Sequence, residues 1–566
     1  MRLLKSWRLV LLALVFGMAV IVSNCGTPAN ISNNSPTATT PAAVPPGALV
    51  YGAGGPPVNL EPGNVTDGNS VIAIDQIYNR LTDSKPGTVE LAPSLATEWS
   101  SSTDGKTWTF KLRSGVKFHD GTDFDADAVK FNVDRWWDAK NPHGYRDSGK
   151  TYQIWKDFFA GFKGDKASLV KDVTVVDKST IRFVLNRPFA AFPAAIGSGY
   201  FGIASPAAVK KAGAKYGTPG SLAVGTGPFV FKEWISGDRI ILEKNPNYWK
   251  AGTPKVNQLV IRFVDDPAAR LAQLRAGQLD FTVDLTPDQL KEVQADANLE
   301  TVLRPSFNVG YLALNPGYAP LAKPEVRRAI AQTINKQAIV KAFWGELGKY
   351  DSQFIPPSLN WAESDKVKDY EFNPQQAKAM LAKAGYPNGF DLDLWYMPVS
   401  RPYFPTPKPI AEAFAADLSA IGIRVKLLTK DWSAYLADRL KPPGFQAFMM
   451  GWTGDYGDPD NFYYPHFGPG STADLGNWKN PKVLELLDRG RASGDKAARG
   501  KIYAEVSEIL HGEAVRLPIV HSQPLLGKRK NIKGWIPYSK NLVCSEDFSP
   551  SKIQRTEVLT TNIFAD

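Results

Sequence analysis

The chain has 566 residues, of which 43% are hydrophobic and 15 are Trp, with a formal net charge of +10 at pH 7. That length and apolar content exclude a disordered chain and allow several domains or one large multi-lobed body. The 66 Lys and Arg residues are interspersed with 56 acids instead of clustering, which excludes a dedicated nucleic-acid groove and describes a generally basic surface.

At the N-terminus Arg2, Lys5 and Arg8 precede an apolar run over 9–22 (LVLLALVFGMAVIV). The run is too short to cross a hydrocarbon core of roughly 30 Å comfortably as a mature helix. It has the length and flanks of a secretory h-region. Residues 22–25 (VSNC) resemble a bacterial lipobox, in which the cysteine is lipidated and becomes the first mature residue. Asn24 departs from the Gly, Ala or Ser usual before that cysteine, and the alternative is an ordinary cleaved signal with an incidental Cys25. Residues 26–47 are Pro, Ser, Thr, Asn and Ala with almost no bulky apolar side chain, and no charge occurs between Arg8 and Glu61. Such a stretch cannot bury enough surface to offset its ordering entropy. The expected division is a lipoprotein signal peptide at 1–24, a disordered tether at 25–47, and a body held by lipid on Cys25 at the outer face of the cell membrane or in the periplasm.

Along the body, 107–113 (TWTFKLR) alternates polar and apolar residues and predicts a half-buried strand. Residues 180–184 (TIRFV) read similarly, and 239–242 (RIIL) read as a more fully buried strand. A helix is predicted over 374–384, with Asn373 as N-cap, Pro374 at the first helical position and Gly385 as the stop. Helical spacing over 408–421 gives way to strand alternation over 423–427. This rhythm predicts α/β lobes with mixed sheets. No further apolar run of membrane-spanning length follows the signal.

Signs of catalysis are missing from the sequence. His119, His143, His466, His511 and His521 lie far apart, and there is no HExxH, GxSxG, P-loop or strand-linked GxGxxG. Cys544 has no partner once Cys25 is acylated, which excludes a disulfide framework. Neither an enzyme, a cofactor nor a bound metal is expected.

Residues 96–120 (ATEWSSSTDGKTWTFKLRSGVKFHD) resemble the signature segment of family 5 extracytoplasmic solute-binding proteins, the receptors of peptide and nickel ABC importers. The likeness continues through 225–229 (GTGPF), 245–249 (NPNYW), 308–312 (NVGYL), 324–330 (PEVRRAI) and 384–387 (AGYP). It implies an α/β, two-lobed periplasmic-binding-protein fold of type II (Venus-flytrap), with an extra subdomain in the first lobe. It further implies a discontinuous lobe I at 48–304 plus 527–566, and lobe II at 305–526.

Residues 395–403 (WYMPVSRPY) and 451–462 (GWTGDYGDPDNF) resemble the dipeptide-binding branch. The resemblance implies that Arg401 holds a peptide's α-carboxylate and Asp455 its α-ammonium. Tyr403 and Trp452 would line side-chain pockets, and Gly54 and Gly55 would bring backbone close to the ligand. The chemistry suits a zwitterion: Arg offers a planar fork to a carboxylate and Asp accepts from an ammonium. The Asp458–Pro459–Asp460 run reads equally as a turn with capping carboxylates. The implied partners are a dipeptide or short peptide and the permease and ATPase subunits of an ABC transporter, with a monomeric receptor. A longer oligopeptide, an oligosaccharide or a nickel chelate is the alternative solute, nickel being disfavoured by the scarcity of His near the key segments. A secreted enzyme or a structural lipoprotein is the alternative from another class.

Overall fold

The computed structural model describes residues 47–533 and 549–550. Leu49–Ala53 is buried at every position, as a strand covered on both faces must be. It pairs in parallel with Gln258–Phe263 on one side and Phe281–Leu285 on the other. Antiparallel strands complete a seven-stranded sheet among the described residues. Arg239–Lys244 and Phe229–Ile235 lie beyond Gln258–Phe263, and Leu525–Arg529 and Leu299–Leu303 beyond Phe281–Leu285.

A second sheet runs in the order Gly348–Tyr350, Arg516–Ser522, Asn308–Leu314, Ala447–Thr453, Asp391–Trp395 and Arg424–Leu428. Its central strands Asn308–Leu314 and Arg516–Ser522 are buried throughout. The expected helices pack around it. Pro374–Lys383 begins where the Asn373 side chain accepts from Gln376 N–H at 3.0 Å. Pro407–Ser419 leads into Arg424–Leu428. A separate antiparallel sheet, Ala96–Ser101, Thr107–Leu112, Thr180–Leu185 and Val170–Asp177, adds a subdomain beside the seven-stranded sheet. In Thr107–Leu112 buried positions alternate with more exposed ones, following the polar–apolar pattern of its sequence.

Two lobes result, each with its own apolar interior. Among the described residues the chain passes between the sheets twice, between Leu303 and Asn308 and between Ser522 and Leu525. The second passage ends earlier than the expected return at 527, because Leu525 and Leu526 already pair with Leu303 and Val302. The two passages are bonded to each other. Arg304 N–H donates to Pro524 O at 3.3 Å, and Asn308 Nδ2 donates to Ser522 O at 2.9 Å. Among the described residues two are exchanged between the interiors: Val89, from the first lobe, lies in the core of the second, and Tyr456, from the second, lies in the core of the first.

Candidate functional site

Asp391–Trp395 and Ala447–Thr453 are parallel neighbours, with Leu394 opposite Ala447 and Trp395 opposite Phe448. Parallel strands release their following loops at one edge of the sheet, the position that ligand sites of open α/β sheets use. The first of these loops carries Arg401 and the second carries Asp455.

The Arg401 loop turns back on itself, with Arg401 N–H donating to Phe404 O at 3.1 Å and Phe404 N–H donating to Arg401 O at 2.9 Å. The turn leaves Tyr403 buried and Arg401 exposed. Tyr403 is buried against Gly451, where a Cβ would collide with its ring. Burial pushes its phenol up to about 12, opposed by the Arg401 charge. Arg401 is exposed, with its guanidinium 5.7 Å from the Trp432 ring centre and Nη1 donating to Ser400 O at 3.0 Å. Among the described residues no carboxylate forms an ion pair with it. A cation held by a ring face and a carbonyl is free to take an anionic group.

Asp455 is organised by Asn461, a residue whose role the sequence did not reveal. The Asn461 Oδ1 accepts from Asp455 N–H at 2.7 Å and from Trp452 Nε1–H at 3.3 Å, while its Nδ2 reaches Asp455 Oδ2 at 3.4 Å. Trp452 also meets the His466 ring edge-on at 5.1 Å. Asn461 is buried in the first turn of the helix Asp460–Phe467, so one amide fixes both the acid and the indole.

The neighbouring acids are engaged elsewhere. Asp458 takes both arms of Arg499, at 2.6 and 2.8 Å. Asp460 takes Arg491 at 2.7 and 2.9 Å and the Tyr456 hydroxyl at 3.0 Å. These pairs are buried and anchor the loop. Asp460 N–H also donates to Asp458 Oδ1 at 3.0 Å, the carboxylate-capped turn that the sequence allowed.

The first lobe reaches the same loop. Ser198 Oγ donates to Asp455 O at 2.9 Å, and burial, with the Asp455 charge next, holds the Tyr200 phenol well above its ordinary value. Gly54 and Gly55 follow the strand Leu49–Ala53 in that lobe. A Cβ on Gly55 would stand 2.9 Å from Asn69 Nδ2, and one on Gly54 would stand 3.4 Å from Arg270 Nη1. Their nearest neighbours therefore belong to their own lobe. Among the described residues no three His, Cys, Asp or Glu side chains converge to hold a metal ion. No helix there is long and apolar enough to cross a membrane. Cys25, the signal, the tether up to residue 46, and Cys544 lie outside the described residues.

Residues 90–474 match the bacterial extracellular solute-binding proteins, family 5 Middle. The chain belongs to that family, and its fold is the two-lobed α/β periplasmic-binding-protein fold. It is 36% identical to the dipeptide-binding protein of Escherichia coli (strain K12) over 512 residues, covering 88% of this chain and 94% of that protein. Among solved structures, HbpA2 from Haemophilus parasuis superposes with a TM-score of 0.80 at 29% identity, over 89% of this chain and all of that one. The dipeptide-binding protein of Pseudoalteromonas sp. SM9913 in complex with Met-Leu gives 0.74 at 27% identity, over 88% of this chain and 99% of that one.

Proposed function

We propose that this protein is a lipid-anchored receptor that captures dipeptides or short peptides between its lobes and delivers them to an ABC permease. The observation that carries the reading is the placement of Arg401, a cation with no ion-pair partner among the described residues, and Asp455, an acid fixed by Asn461, on loops from one edge of one sheet. Enclosing a dipeptide removes two opposite charges from water at a cost of several kcal/mol each, about what a hydrogen-bonded partner of opposite sign offsets. The α-carboxylate goes to Arg401 and the α-ammonium to Asp455. Tyr403 and Trp452 line the space beside them, and Gly54 and Gly55 form the facing wall from the first lobe.

The two proposed lobes close on the ligand about the two passages near Pro305 and Pro524. A ligand that touches both lobes binds the closed form better and shifts the population towards it. Native mass spectrometry of protein purified without denaturation weighs any trapped solute, and calorimetry with free, C-amidated and N-acetylated di- and tripeptides then ranks them. Tight binding of free dipeptides, with a penalty for blocking either end, supports the proposal. Tight binding of a sugar or metal chelate in their place defeats it.

A further inference from the structure

Three contacts join the lobes through side chains that none of the ligand assignments use. At the first, Val89 sits in the turn of a first-lobe hairpin, Thr82–Ser84 with Leu91–Pro93, which is closed by Lys85 N–H donating to Glu90 O at 2.8 Å. It enters the interior of the second lobe and lies against Gly457. At the second, Tyr456 enters the interior of the first lobe and meets the Phe158 ring edge-on at 5.3 Å. At the third, Ala190 N–H donates to Arg491 O at 2.7 Å, and the Arg491 guanidinium lies 4.9 Å from the Phe189 ring centre. We propose that these contacts form a seam made on closure and broken on opening, and that Val89 and Gly457 are positioning residues that set the affinity for every ligand alike. The inference rests on the reading that the lobes close on the ligand.

Gly457 shows what the seam requires. Its φ lies outside the left-handed region, so its own backbone does not call for glycine. A Cβ there would stand 2.3 Å from Val89 O and 2.7 Å from Val89 Cβ, and the three atoms nearest to it all belong to Val89. The obstacle to a larger residue therefore comes from the other lobe. Because Val89 O is a backbone atom, no change of rotamer relieves the clash.

Tyr456 and Arg491 are tied together by one buried carboxylate. Asp460 accepts from the Tyr456 hydroxyl at 3.0 Å and from Arg491 at 2.7 and 2.9 Å. The two second-lobe groups that reach into the first lobe are thus held as one piece, with Gly457 beside Tyr456 in the chain.

Opening the cleft uncovers Val89 and Tyr456, which are 6% and 3% exposed when the seam is made. Apolar burial confined to the closed form favours that form with or without a ligand. Apparent affinity is the intrinsic affinity scaled by the fraction of molecules competent to bind. Weakening the seam therefore lowers the affinity of all ligands that need closure by one common factor. A contact to one end of the ligand would affect only ligands that carry that end.

The test uses the full chain with Met-Leu, its C-amidated form and its N-acetylated form, in wild type, Gly457→Ala and Val89→Asp. The two variants strike the seam from opposite lobes, one by a backbone clash and one by carrying a carboxylate into an apolar interior. The melting temperature without ligand is expected to match wild type. The radius of gyration with saturating Met-Leu is expected to stay above the wild-type value. By calorimetry, each ligand that wild type binds is expected to weaken by the same factor, about tenfold or more. Wild-type contraction and affinity in either variant would overturn the inference. A lower melting temperature without ligand would show the seam to be permanent packing, and weakening confined to ligands with one particular end would show a local effect on the site; either result also overturns it. If wild type binds Met-Leu without contracting, or binds no dipeptide, the underlying reading falls and this inference falls with it.

Discussion

At the scale of single residues, the receptor reading stands or falls on two side chains. Removing either partner of a buried zwitterion leaves a ligand charge desolvated and unpaired, which costs on the order of 3–5 kcal/mol, or a few hundredfold or more in affinity. Arg401→Ala is expected to weaken a free dipeptide by that factor and to lessen the penalty for amidating its C-terminus. Asp455→Asn is expected to do the same at the other end, lessening the penalty for N-acetylation. Calorimetry distinguishes the two patterns, and wild-type affinity in both variants would eliminate the pair. His119 makes a prediction about stability. Its Nδ1 faces the Gly225 N–H at 3.4 Å and its Nε2 donates to Gly227 O at 3.0 Å, an arrangement for neutral imidazole, and burial lowers its pKa to about 4. The unfolded chain protonates this ring below about pH 6.5 while the folded one resists, so the stabilisation is full above that value and is lost as pH falls towards 4. The total is on the order of 2–3 kcal/mol. His466 and His521 are likewise lowered, chiefly by burial, and add to the same acid limb. His119→Gln is expected to reduce the loss of melting temperature between pH 6.5 and 4, and an unchanged acid limb would refute the assignment.

At the scale of elements, Arg491, at the end of the helix Pro481–Ala492, and Arg499, in the first turn of Lys496–Glu513, hold the 454–460 loop. Arg499→Ala strands the buried Asp458 carboxylate and is expected to destabilise by about 3–5 kcal/mol in urea unfolding. Replacing both partners by apolar residues of similar size, Arg499→Met with Asp458→Leu, is expected to recover most of that loss, because no orphaned charge remains. This loop also shows what sequence can and cannot reveal. Asp455, Asp458 and Asp460 are three acids in six residues, alike in sequence; only the distant Arg491 and Arg499 neutralise two of them. The Asn373 cap and the alternation in Thr107–Leu112 were legible because they are local. The GTGPF motif pointed to the family, yet its role here is packing: Gly227 N–H donates to Ile77 O at 2.8 Å, where no Cβ fits. Asn461 escaped notice because an amide four residues into a GDPDNF run carries no mark of the acid it orients. Ser198, 257 positions from Asp455, could be found only once both lobes were in place.

At the scale of the whole molecule, closure and anchoring are the tests. Small-angle scattering is expected to show a smaller radius of gyration with saturating dipeptide, and an unchanged profile despite proven binding would refute hinge closure. Cys25→Ser is expected to release the protein from the membrane fraction into the medium or periplasm; identical partitioning of mutant and wild type would refute lipid anchoring. The paired passages between the sheets have a further consequence. Because Arg304 and Pro524 share a backbone hydrogen bond, the second lobe enters and leaves the first at one point. Topologically it is a cassette inserted into a loop of a complete α/β unit, and its ends are close enough to be joined by a short turn. A cassette of this kind can lengthen, shorten or be exchanged without altering the strand order of its host. Here the exchange would leave two marks. The host would lose the Tyr456 plug from its aromatic interior, and the cassette would lose Val89 from its own, so the two halves are separable in chain connectivity but not in packing.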